Sequence, residues 1–152
     1  MLVGCAIATL VLLALAAGSD LRRRLIPNQL PIAIAACFGL ATIAEPPASA
    51  LLPAIAAASA VFAAGLGLFA ANLLGGGDVK LLAATALWAG WDQIALLLVV
   101  MAIAGGLLGV AVWLFSLCRR RRDASADNAA DPSVPYGVAI AIAGAAVLAN
   151  RF

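Results

Sequence analysis

Two aspartates, with the residues beside them, are where this chain could do chemistry. Asp78 ends the run Gly75-Gly76-Gly77-Asp78 and is followed at once by Val79, Lys80 and an apolar stretch. Asp20 closes the first apolar stretch and precedes Arg22, Arg23 and Arg24. A carboxylate at the mouth of a membrane segment is costly, so by default it marks a functional site. Two carboxylates that share a site cannot both ionise cheaply. The ionised one can activate a water while its protonated partner donates to a carbonyl oxygen, and no metal is needed. Each acid also has a bland reading as a solvated cap beside a span, with Asp20 ion-paired to the arginines that follow it. That reading is weaker for Asp78, because a loop of three glycines needs no acid directly before an apolar run.

The composition fixes the solvent. The chain has 152 residues, is 66% hydrophobic and is only 11% charged, where a soluble domain is roughly half apolar and a quarter charged. It therefore reads as an all-α integral membrane protein forming one domain over residues 1–152. The absence of histidine removes His-based metal sites and Ser-His-Asp catalysis. Cys5, Cys37 and Cys118 lie in or at the end of apolar runs and form no CxxC pair. They read as packing residues, and neither a metal site nor a disulfide framework is indicated.

Six apolar runs follow in order: 1–18, 30–44, 50–74, 81–91, 93–118 and 134–150. The first is long enough to span. Leu15-Ala16-Ala17-Gly18 resembles a cleavable signal, but the positive charges follow this run instead of preceding it. The run at 30–44 is short, so flanking residues from Ile26 to Gln29 join it. Glu45-Pro46-Pro47 breaks the chain, and 119–133 is a cytoplasmic loop with no apolar period. With the amino terminus outside, the inner loops hold Arg22, Arg23, Arg24, Lys80 and Arg119 to Arg122, and of the nine basic residues only Arg151 lies elsewhere. The positive-inside rule thus supports a polytopic bundle of about six transmembrane helices, with Asp20 and Asp78 at the same, cytoplasmic face.

These residues carry a resemblance. Gly75-Gly76-Gly77-Asp78-Val79-Lys80 is similar to the G-x-G-D-x-K signature of the type IV prepilin peptidases, which are aspartic peptidases of the membrane. Asp20 followed by Ile26-Pro27-Asn28 resembles that family's first acid and its I-P-N triplet, and Pro135-Tyr136-Gly137 resembles the segment opening its last helix. The resemblance implies that Asp20 and Asp78 are the catalytic pair. It makes Gly75, Gly76, Gly77, Lys80, Pro27, Asn28, Pro135, Tyr136 and Gly137 motif or positioning residues. It implies removal of a short basic leader from a prepilin or pseudopilin whose hydrophobic helix stays in the bilayer. The expected setting is the cytoplasmic (inner) membrane of a prokaryote, with no cofactor and no metal. The first inner loop is short and carries no CxxC pair, so N-methyltransferase activity is not expected. The size resembles members serving Flp/Tad pili, with archaeal preflagellin peptidases as a related alternative.

Further expectations follow from position. Asp78 and Asp92 are fourteen residues apart, about 21 Å of helix against about 30 Å of hydrocarbon. The glycine loop is therefore expected to dip into the bundle and hold Asp78 in a water-filled recess, using glycine's freedom to take positive φ and to approach other backbone. An ordinary helix C-cap at Gly75 to Gly77 is the compatible alternative. Gly105 and Gly109 permit close helix approach. Trp88 and Trp91 read as interfacial anchors, whereas the Tyr136 ring could lie near the site. Arg119 to Arg122 could meet anionic lipid or simply stop translocation, the second being enough by the orientation rule alone, and nucleic-acid binding is not expected because no aromatic residue interleaves with them. The oligomeric state is not legible. Two other classes remain open: a small proton- or cation-coupled transporter using the same acids, and a non-catalytic membrane subunit. Against the transporter, no acid marks the middle of another span.

Overall fold

The computed structural model describes residues 1–44, 51–122 and 134–151. The Glu45-Pro46-Pro47 break, the 119–133 loop beyond Arg122 and the side chains of Arg119 to Arg122 lie outside what is described. The described chain is all-helical: α1 (Leu2–Arg23), α2 (Gln29–Ala44), α3 (Leu51–Ala70), α4 (Gly76–Arg122) and α5 (Tyr136–Arg151). Three stretches, Leu2–Arg23, Leu51–Ala70 and Gly76–Leu117, are long and apolar enough to cross a membrane, while α2 and α5 are shorter apolar helices. The helix count is five where six runs were expected, because the fourth and fifth runs form α4, interrupted at Gly90.

Gly90 adopts φ 58 and ψ −166, a positive-φ extended conformation that is essentially glycine's alone and costs another residue about 1–3 kcal/mol. The break falls here, two residues before the expected division at Asp92. Neighbours on α5 show that the chain doubles back at this point. Gly137 meets Asp20, Gly144 sits against Leu13 and Thr85, and Arg151 donates to the carbonyl of Trp88. Residues 76–89 therefore run alongside α5 in the same direction, and α1 runs opposite to both. Beyond the break, Gly105 packs on Tyr136 and Gly109 on Val134, so the second arm returns toward the acid-bearing end. The spacing of Gly105 and Gly109 does permit close approach, to the first residues of α5.

The core is built of small residues on crossing helices. A methyl on Gly144 would lie 2.7 Å from Leu13 Cδ1 and 2.8 Å from Thr85 Cγ2, so α1, α4 and α5 meet there with no room for a side chain. A methyl on Gly65 of α3 would lie 2.8 Å from Val79 Cγ1. Trp88 is the largest fully buried side chain, 1% exposed; its ring meets Phe38 edge-on at 5.6 Å and its Nε1–H faces the Ile34 carbonyl at 3.4 Å. The expectation of an interfacial anchor at Trp88 is thus corrected, because α2 supplies both an aromatic face and an acceptor for the indole. Trp91, past the break, is 52% exposed. Cys5 and Cys37 are free, half-buried and packed against the core.

Candidate active site

Asp20 does not lie in a loop, as its neighbours suggested. It occupies the last turn of α1, which continues to Arg23 and ends on Arg24 at φ 52, whose amide bonds the Asp20 carbonyl at 2.9 Å. No breaker precedes Arg24, so the helix runs through the polar residues. The Asp20 side chain is buried, 7% exposed. Its Oδ2 accepts a hydrogen bond from the Gly137 amide at 2.7 Å. Glycine is required at 137 by proximity, since a methyl there would come within 2.8 Å of Oδ2 and 3.0 Å of Cβ and Cγ. The ion-pair reading is not what holds this acid. Arg24 acts on it through space, but the hydrogen bond comes from the start of α5.

Asp78 is the third residue of α4, which begins at Gly76, five residues before the expected start at Leu81. The glycines are neither a dipping loop nor a C-cap, and none of them takes positive φ. Asn72 does, at φ 57, and it ends α3 with Leu73 N–H bonded to the Leu68 carbonyl and Asn72 N–H to that of Phe69; that pattern is a Schellman-type stop. Gly75 precedes the first turn of α4, and its amide faces the Asp78 carboxylate. An acid three residues into a helix that reaches back to the cap amide is one half of a capping box. Capping accounts for one oxygen only. Among the described residues Oδ1 of Asp78 is buried without a hydrogen-bond partner, an uncommon and costly state for a polar atom.

The motif residues bind the two acid-bearing segments together. A methyl on Gly77 would lie 3.2 Å from Ile26 Cβ and 3.6 Å from its carbonyl oxygen, so the connection after α1 packs directly on the first turn of α4. Lys80 Nζ donates to Asn28 Oδ1 at 2.9 Å. The Pro27 carbonyl accepts from Leu30 and that of Asn28 from Ile32, which turns the chain into α2. Gly76 lies against the Phe69 ring. Through these contacts Asp20 comes close enough for its charge to act on Asp78. Pro135 accepts from Val138 in the first turn of α5. The Tyr136 ring packs on Gly105. Ile26, Phe69 and Gly105 were not singled out as parts of the site. Ile26 stands inside the I-P-N triplet and was the one with a signal. Among the described residues no cluster of His, Cys, Asp and Glu could hold a metal ion.

An all-helical chain with membrane-length apolar helices, a buried Asp20 and a half-buried Asp78 at one end has the makings of a membrane enzyme. Residues 7–110 match the model of the type IV leader peptidase family, and the chain belongs to that family of peptidases. The matched region contains both acids, the Ile26-Pro27-Asn28 triplet and the glycine motif, and ends before Pro135-Tyr136-Gly137. No curated protein and no solved structure matches the chain.

Proposed function

We propose that this chain is an aspartic endopeptidase that removes the short basic leader from prepilin-like proteins at the cytoplasmic membrane boundary. One observation carries the reading. Both acids lie at the same end of the bundle, where the segments that carry them pack together, Asp20 is fixed by the Gly137 amide and Asp78 keeps a buried oxygen with no partner among the described residues. In the reaction, the ionised member of the pair takes a proton from water as its oxygen attacks the scissile carbonyl carbon. The protonated member donates to the carbonyl oxygen, giving a gem-diol. Collapse breaks the C–N bond, and a proton passes to the leaving amine. The substrate's hydrophobic helix begins just after the cut and stays in lipid, in keeping with the chain's own apolar surface. Neither a cofactor nor methyl transfer enters this scheme.

The topology belongs to the same proposal. With the amino terminus outside, both arms of α4 cross, giving six passes, and the acids face the cytoplasm of a prokaryotic inner membrane. The second arm supports a submerged site. Gly105 lies level with Tyr136 at the acid-bearing end, and the apolar helix continues to Leu117, about 18 Å further at the usual rise per residue. Arg22 to Arg24 leave α1 at the acid level, so water must reach the recess. The transporter reading lacks an acid on any other helix of the described core, and no observation favours it.

The test is co-expression with a candidate prepilin. Asp20→Asn and Asp78→Asn should each abolish leader removal while leaving the protein in the membrane. Normal cleavage in both variants overturns the mechanism.

A further inference from the structure

Helices α2 and α3 both pack on the first arm of α4 but barely touch each other. On one side, Trp88 binds Ile34 and Phe38 of α2. On the other, Gly65 of α3 receives Val79. Between them a groove of about 700 Å³ runs along residues 80–87 of α4. Its floor is small, with Ala83 and Ala84, while its walls mix Ala58 and Ser59 with the larger apolar side chains of Ile32, Ile55 and Phe62. Lys80 and Asn28 line it together, bonded to each other, and Lys80 stands two residues from Asp78.

We propose that this groove seats the first turns of the substrate's own membrane helix, with that helix's positive, amino-terminal end toward the carboxylates of Asp78 and Asp20. The inference rests on the peptidase reading and adds where the substrate lies. Three features point to a helix. The groove runs about 10 Å along α4, close to two helical turns. Its alanine floor lets a helix backbone approach α4 closely, as at other helix contacts in lipid, and the apolar side chains of its walls suit a hydrophobic helix. It is a slot between two helices seated on a third, the position a further helix of a bundle fills. Continuity with the acids sets the direction. A substrate helix in that direction hands its preceding, non-helical residues to Asp78 and Asp20, so the scissile bond arrives in extended chain at the acid pair.

Two substrates and one cross-link test this. The first substrate is an intact prepilin-type protein with its hydrophobic helix. The second is a soluble peptide covering the leader and the cut but lacking that helix. Ser59→Trp, at an exposed wall, and Ala83→Leu, on the floor, should raise KM for the intact protein by about tenfold or more with little change in kcat, and should leave peptide cleavage unaltered. Equal effects on both substrates, or none on either, overturn the groove. A wild-type chain that cleaves neither substrate overturns the peptidase reading instead, and the groove with it. Separately, a benzophenone-bearing residue at position 59 in the Asp20→Asn background should cross-link to the first two turns of the substrate helix. Cross-linking to phospholipid alone shows a lipid-filled groove and refutes the proposal.

Discussion

Gly137→Ala tests whether the position of Asp20 matters to the chemistry. The added methyl would sit 2.8 Å from Oδ2 and 3.0 Å from Cβ and Cγ of Asp20. Rotating the carboxylate relieves the first contact but not the second, because Cβ moves only with the backbone of α1. The rotation itself moves the acid's oxygens, and restoring ordinary contact at Cβ requires α1 and α5 to part by about 0.4 Å as well, at an overpacking cost of about 1–3 kcal/mol. Acid–base groups work within about 0.5 Å of their productive positions, and a misplacement of about 1 Å can cost about a hundredfold in rate. The expected result is a fall in kcat of about tenfold to a hundredfold. Gly144→Ala supplies the control. It overpacks the same helices against Leu13 and Thr85, away from the acids, so it should lower the melting temperature while preserving the rate per folded molecule. The assay is leader cleavage in detergent, normalised to folded protein and paired with thermal unfolding. A folded Gly137→Ala variant that cleaves within about twofold of wild type refutes the claim that this contact sets the acid geometry.

The Lys80–Asn28 bond should show as coupling. Lys80→Met and Asn28→Ala should together destabilise less than the sum of the singles, by about 0.5–1.5 kcal/mol in thermal unfolding, and strict additivity refutes the link. Gly90→Ala meets no atom within 4 Å, so its cost should be the backbone term alone, about 1–3 kcal/mol; Gly90→Asn should recover none of it, because asparagine tolerates the αL region and not this one, and a neutral alanine contradicts the positive-φ break. Trp88, left as the sole tryptophan by Trp91→Phe and Trp113→Phe, should resist fluorescence quenching by lipid-borne quenchers, whereas Trp91 kept alone should be quenched. Efficient quenching of Trp88 would restore it to the interface.

The family was more legible in the sequence than the backbone that carries its motifs. Asp20 and Asp78 could be paired because the basic residues assign both to one side of the membrane, and charge is visible in a sequence. Helix ends were misplaced because the usual breakers were absent or misleading. Polar Ser19 and Asp20 suggested a loop, yet nothing there stops a helix before Arg24. Three glycines suggested an irregular segment, but glycine at the start of a helix costs little when packing demands it, and Ile26 demands it at Gly77. The stop belonged to Asn72, a residue that also tolerates left-handed backbone. Trp88 was misjudged because periodicity shows which residues are apolar, not which face finds a partner. The Phe38 ring and Ile34 carbonyl come from another helix, and no local pattern announces them.

The two acids stand at helix ends of opposite polarity, and this sharpens what Asp20 is for. Asp78 lies in the first turn of α4, where a carboxylate is favourable toward the helix dipole. Its placement could serve stability alone, were it not for the partnerless Oδ1. Asp20 lies in the last turn of α1, the end where a negative charge is unfavourable by roughly 0.3–1 kcal/mol. No local gain in α1 explains it, and burial adds to the cost. What compensates is the amide of Gly137 in the first turn of α5. Each carboxylate is thus held by the amino-terminal end of a helix, Asp78 by that of α4 and Asp20 by that of α5. Two positive helix ends facing one pair of acids also face whatever oxygen gains charge between them. An acid placed against the preference of its own helix, and held there by another, is better explained by a reaction than by the fold.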